Sequence, residues 1–304
     1  MSAQTLVGIG TEIVDEQAAA RLDPPTAAAP RRAGWRARVR RVRPTEIGSW
    51  LVLIVVVAWA IVPWLFTPLD PFAGDAAAAL QAPSALHPFG TDATGRDMYA
   101  RVVHGAVQSL SGALVAVTVG LVAGTFLGVV AGTVGGIVDD VIMRIVDVLL
   151  AIPGLLLALS LIIILGFGTV QAAIAVGIGA IASFARLTRS EVLWVRGTDY
   201  VEAAYASGGR FWAVLRRHIL PNSLTPVLAL AALNFGAAIL AISALGFLGY
   251  GAPPPIPEWG LMIAEGRNYI ATAWWLTTLP GVVVVIVVLS ANRLSAVAAE
   301  KGRR

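Results

Sequence analysis

Hydrophobic residues in this chain gather into runs of membrane-crossing length, separated by shorter segments whose charges are mostly basic. Residues 48–66 form the first run. At about 1.5 Å per residue it covers roughly 28 Å, near the hydrocarbon thickness of a bilayer. Trp50 and Trp64 lie near its ends, where indole rings anchor helices at the interface. Residues 102–137 hold a second span, expected to follow an amphipathic entry helix. Residues 148–185 and 218–257 contain no Asp, Glu, Lys or Arg. Each is too long for one crossing, which needs roughly 20 apolar residues. Gly166-Phe167-Gly168-Thr169 divides the first of these runs into a third span, opened from residue 140, and a fourth at 170–185. The fifth covers about 223–248, and the sixth runs from Trp274-Trp275 to Arg293. Pro153-Gly154 is placed to kink the third span, and Pro280-Gly281 lies inside the sixth.

The polar segments fix an expected topology. Residues 1–30 mix Ala, Pro, Thr and acids without periodicity and read as a disordered tail without the apolar core of a signal peptide. Arg31, Arg32, Arg36, Arg38, Arg40, Arg41 and Arg43 follow with no acid among them. Such a cluster holds a terminus in the cytoplasm and touches anionic lipid. Six arginines lie between Arg186 and Arg217, and Lys301, Arg303 and Arg304 close the chain. Six spans with both termini inside satisfy every basic cluster. Composition agrees: only 13% of residues are charged, against about 25% in a soluble domain. The formal charge of +4 sits at these anchors, on arginines and one lysine, and not across a surface suited to nucleic acid. The absence of cysteine excludes disulfides, thiol catalysis and Cys-ligated zinc.

One polar stretch has a shape of its own. Glu202-Ala203-Ala204-Tyr205-Ala206-Ser207 favours helix, and its alanines leave a smooth surface for close approach. Gly208 and Gly209 then let the chain turn sharply. Phe211, Trp212, Val214 and Leu215 offer an apolar face, while Arg210, Arg216 and Arg217 face water or headgroups. Two short helices at an angle can dock in a partner's groove; an ordinary amphipathic interfacial loop is the plainer reading. Four glycines, Gly120, Gly124, Gly128 and Gly132, recur every fourth residue and line one helix face, as a packing seam or as part of a substrate path. Arg144 and Asp147 are i, i+3 neighbours and read as a structural ion pair. Between the first two spans, Asp92, Arg96 and Asp97 can pair across a turn-rich loop set by residues such as Gly95.

Glu202-Ala203-Ala204, then Gly208, then Leu220-Pro221, resembles the cytoplasmic coupling loop of binding-protein-dependent ABC importer permeases. His87-Pro-Phe-Gly-Thr-Asp92-Ala-Thr-Gly95-Arg96-Asp97 is similar to a signature of the C-type permease subunit in peptide and nickel importers. Met143-Arg144…Asp147…Pro153 and the stretch 245–260 match two further blocks. Gly246 stands where the family usually has Ser, Ile242 where it often has Glu, and the tail from Asn292 departs from the pattern. The resemblance covers about residues 46–293. It implies an all-α integral membrane protein with the type I ABC importer (MetI-like) permease fold. Residues 1–45 would be the tail, 46–101 the first helix and extracytoplasmic segment, 102–295 the core with its coupling loop at 186–221, and 296–304 a second tail.

The same resemblance implies a non-catalytic subunit that carries di- or oligopeptides, with nickel or another small solute as the other cargo. Residues 202–210 would receive the motion of partner ATPases, and Asp92, Gly95, Arg96 and Asp97 would either stiffen the outer loop or meet a solute-binding protein. The implied partners are a second permease subunit, one or two ATPases holding ATP and Mg, an extracytoplasmic solute-binding protein and lipid. The residues agree that the energy comes from elsewhere. Lys301 is the only lysine and lies outside any phosphate-binding glycine loop. His87, His104 and His218 fit no common metal-ligand spacing, and no Ser/His/Asp set is discernible. A secondary carrier working without ATPases would need charges or broken helices near mid-membrane. The spans offer almost none of either.

Overall fold

In the computed structural model the described residues, 44–302, are helical, with no strand beyond two isolated bridges. The tail at 1–43, the anchoring arginines in it, and residues 303–304 lie outside the described residues. Helix α1 (Pro44–Ile61) leads through a long loop to α2 (Met98–Val134). There follow α3 (Gly136–Ala151), α4 (Gly154–Leu165) and α5 (Thr169–Arg196), then two short helices, α6 (Asp199–Ala206) and α7 (Phe211–Val214). A π-helical turn (Leu215–Ile219) passes into α8 (Leu220–Phe247), and α9 (Trp259–Gly266) and α10 (Trp275–Gly302) complete the chain. Five helices are long and apolar enough to cross a membrane, and α3 with α4, bent by 98°, make a sixth crossing if taken as one broken span.

The break in the third span is sharper than the expected kink, and it corrects the expectation that the spans hold almost no broken helix. Ile152 and Pro153 are both extended, so the α-helix stops at Ala151 and restarts at Gly154. Proline lacks the N–H that would continue the ladder and disfavours helix in the residue before it. The second span differs from expectation in the other direction. No separate entry helix exists; α2 runs unbroken for 37 residues from an N-cap at Asp97. The fourth span likewise continues to Arg196, so Arg186 and Arg189 belong to a spanning helix and not to the loop after it.

The centre of the fold is the parallel pair α2 and α5. A Cβ on Gly124 would lie 2.5 Å from Phe184 Cβ and 2.6 Å from the Ile181 oxygen, and one on Gly128 would lie 2.5 Å from the Ala185 oxygen. Gly120 meets Ala180, and Gly132 meets Val192, in the same way. The four-residue spacing thus serves as a packing seam, with backbones close enough that only hydrogen fits between them. Helix α8 packs on this seam and α10 packs on α8, and a core including Met98, Val102, Ile239, Ile242, Trp259 and Leu276 ties them to α2 and α9.

Candidate functional site

The short helices form an elbow at one end of the fold. Helix α5 stops where Gly197 donates to the carbonyls of Trp194 and Val195. Thr198 is extended, and α6 begins with Asp199 and Glu202 in its first turn, where carboxylates complement the helix dipole. At the other end of α6, Gly208 has φ 86°, and the amides of Gly208 and Gly209 reach back to Tyr205 and Ala204. The two glycines are needed for different reasons. A Cβ at Gly208 would meet nothing within 4 Å, so its backbone conformation is what favours glycine. A Cβ at Gly209 would lie 2.5 Å from the Ala204 oxygen and 2.8 Å from Val214, so packing between α6 and α7 excludes it.

The elbow is held from behind and bare in front. Val201, Val214, Leu215 and Ile219 are buried against Val192 and Val195 of α5. Four burials of this kind are worth roughly 1.5–3 kcal/mol each. Glu202, Ala203, Tyr205, Ala206, Ser207, Gly208 and Arg210 are exposed, with Ala204 and Gly209 half-buried between them. The apolar set expected after the turn is divided: Val214 and Leu215 point inward, whereas Phe211 and Trp212 stay outside, Trp212 76% exposed. The π turn ends two residues before Pro221, which has no N–H for the Arg217 carbonyl, and Leu220 bonds back five residues to Leu215.

Beside the elbow, polar groups lock the ends of three helices. Arg189 of α5 pairs with Asp139 of α3, and Arg196 donates to the carbonyls of Gly132 and Thr133 that end α2. Asp147 pairs with Arg186 of α5, and this corrects the expected Arg144–Asp147 pair. The helix α5 brings a guanidinium across to α3, whereas an i, i+3 pair on one helix gains little.

At the opposite end, the loop signature residues come together. The Asp92 carboxylate accepts from the amides of Thr94 and Arg96, the Thr94 hydroxyl and Arg96 Nε. Burial pushes the Asp92 carboxyl up, but these donors and the Arg96 charge outweigh it and hold it below the usual range. Gly95 has φ 77° and a Cβ there would strike Asp75 backbone at 1.8 Å. Asp97 accepts from Ala100 N at 2.6 Å to cap α2, and contacts His87 Nδ1 at 2.8 Å. Three residues that the sequence reasoning passed over complete this end. Arg101, fully buried, donates to Glu265 at 3.0 Å and lies 3.7 Å from Asp92. Glu258, also fully buried, caps α9 through Gly260 N and Leu261 N and accepts from Ser109. Burial raises its pKa. A charge entering an apolar span at Arg101, and an acid among the prolines at Glu258, were the available signals. Gly246 now has a physical reason: a Cβ there would lie 2.2 Å from Glu258 Oε2. His104 instead meets the Ala100 carbonyl and His218 the Tyr200 ring, so the three histidines lie apart.

Residues 124–301 match the family model described as binding-protein-dependent transport system inner membrane component. The chain is 41% identical over 250 residues to a probable D,D-dipeptide transport system permease protein of Escherichia coli, covering 82% of this chain and 84% of that one. It is 40% identical over 264 residues to a dipeptide transport system permease protein of Alkalihalophilus pseudofirmus, covering 86% of each. Among solved structures, an inward-facing MetNI methionine ABC transporter matches with a TM-score of 0.55 at 21% identity, over 68% of this chain and 98% of that one. At that identity the likeness speaks to the fold.

Proposed function

The chain belongs to the family of binding-protein-dependent transport system inner membrane components, and from that premise we propose that it is the C-type permease subunit of an ATP-driven importer of di- and oligopeptides. Relatives named as dipeptide permeases, at about 40% identity over most of both chains, support the cargo. In this reading the chain pairs with a second, different permease subunit. Both termini and the elbow face the cytoplasm, where one or two ATPases bind and hydrolyse ATP. The loop end faces a solute-binding protein.

The observation that carries the reading is the elbow: anchored on α5 by Val201, Val214, Leu215 and Ile219, yet bare along Glu202–Arg210. A surface made of Ala203, Ala206 and Gly208 admits a partner's groove closely, and Tyr205, Phe211 and Trp212 supply apolar contact at its edge. ATP-driven closure of the ATPases pushes this elbow, and α5 and α8, which meet at it, turn as a unit. Moving such an equilibrium from 1:99 to 99:1 takes about 5.5 kcal/mol of differential binding, all of it supplied by the partner's nucleotide. Gly208→Trp tests this. Purified with its partners, the variant is expected to lose the ATPase subunits in mild detergent, or to retain ATP hydrolysis without peptide uptake. Normal ATP-coupled uptake would overturn the assignment.

A further inference from the structure

Two cavities lie end to end along the same pair of helices. The first, about 460 Å³, is lined on α5 by Val176, Gly179, Ala180 and Ser183 and on α8 by residues from Ala244 to Asn234. The second, about 990 Å³, takes up the next turns of both helices, Leu187, Glu191 and Trp194 on α5 and Leu233, Leu230 and Pro226 on α8. Both volumes fall in the range of small-ligand sites. From Val176 to Trp194 the α5 rise is about 27 Å, close to the hydrocarbon thickness. The second cavity also touches Tyr200 of α6, so it opens at the elbow.

Their chemistry differs. The walls of the first are mostly alanine, glycine, valine and leucine, and its only polar side chains are Ser183 and Asn234. The second carries one charged side chain, Glu191, which makes no ion pair among the described residues, together with Trp194, Tyr200, Asn222 and Asn292.

We propose that the two cavities are successive sections of this chain's share of the cargo passage: an upper section blind to charge, and a lower one in which Glu191 favours cationic cargo. The proposal rests on the permease reading above and gives it a route. The upper wall presents one hydroxyl and one amide, too few ligands to replace the water of a bare divalent cation, which wants about six oxygens. Small side chains leave width for a peptide backbone and its substituents, while a neutral wall neither traps nor repels its termini. In this reading the passing species is a peptide-sized organic solute, and Glu191 is a specificity-determining residue.

The chain contains no cysteine, so single thiols can be placed on it without background from its own sequence. Ala237→Cys and Ala241→Cys probe the upper section and Val122→Cys, on an exposed face of α2 outside both cavities, is the reference. In the assembled complex, a water-soluble methanethiosulfonate is expected to react at Ala237→Cys and Ala241→Cys and to stop peptide uptake while ATP hydrolysis persists. Glu191→Gln is expected to lower uptake of a dicationic peptide relative to a dianionic one by about five-fold, the worth of one screened charge contact. If adducts at 237 and 241 leave uptake equal to that of the Val122→Cys reference, or Glu191→Gln leaves the ratio unchanged, the route is wrong. If the unmodified complex imports no peptide with ATP, the permease reading itself is what fails.

Discussion

The seam between α2 and α5 allows a prediction in which two chemically identical substitutions part company. Gly128→Ala places its methyl carbon 2.5 Å from the Ala185 carbonyl oxygen, 2.6 Å from Thr188 Cβ and 2.9 Å from Arg189 N. Ordinary contact begins near 3.4 Å, and two of these three neighbours are backbone atoms that cannot rotate away. The helices must separate, at an overpacking cost of about 1–3 kcal/mol. Separation also strains the Arg189–Asp139 pair and the Arg196 contacts to Gly132 and Thr133 that bracket the same end. Gly179→Ala adds the same methyl to α5, but its nearest neighbour is Leu157 Cδ2 at 3.8 Å. Both variants gain about 1 kcal/mol from helix propensity, so the difference between them isolates the seam. Gly128→Ala is expected to be less stable than Gly179→Ala by about 1–3 kcal/mol, with Gly124→Ala behaving like Gly128→Ala. Unfolding of the purified chain in mixed micelles, followed by helicity against a denaturing detergent, measures this. Equal midpoints for Gly128→Ala and Gly179→Ala would refute close backbone contact as the basis of the pair.

The buried Glu258 carboxyl, its pKa raised by burial, makes stability depend on pH with a definite sign. The folded state holds the proton more tightly than the unfolded one, so this contribution is complete below the unfolded value of about 4.3 and is lost as pH rises through the folded value. The melting temperature of the purified complex should therefore fall over that interval, and Glu258→Gln should flatten the profile; an unchanged profile in the variant would count against it. Trp259 is fully buried with its Nε1 donating to the Val102 carbonyl at 3.0 Å. Trp259→Ala is expected to cost about 3–5 kcal/mol and to expose the residues of α9 to hydrogen exchange before those of α5.

What could be read from the sequence was whatever is local or periodic. The apolar runs gave the spans because hydropathy acts residue by residue, and the glycine spacing gave the seam because a helix repeats. The elbow was legible because Glu202–Ala206 and Gly208–Gly209 carry their conformations in their own side chains, or in the lack of them. Long-range pairing was not legible. Asp147 had a guanidinium three residues away in Arg144 and another 39 residues away in Arg186, and only the packing of α3 on α5 chooses the second. Arg101 looked like a stray charge at a span entrance because its partners, Asp92 and Glu265, lie in separate segments of the chain. Hydropathy could not distinguish Ile152–Pro153 as a right-angle break from a mild bend, since both have the same composition. The cavity walls were hidden for a related reason: alanines facing a passage and alanines facing another helix have the same letters.

The elbow runs through its π turn into α8 without interruption, so residues 211–247 are one rod of 37 residues, Phe211–Phe247. Such a rod is about 55 Å long, longer than the bilayer core is thick. Tilting it by about 5° around either tip sweeps the other tip through about 5 Å, nearly one helical pitch. On the permease reading, a push at Phe211 swings this rod as a lever and moves Gly246 against Glu258 at its other end, with the π turn and Pro226 as the points where it can bend.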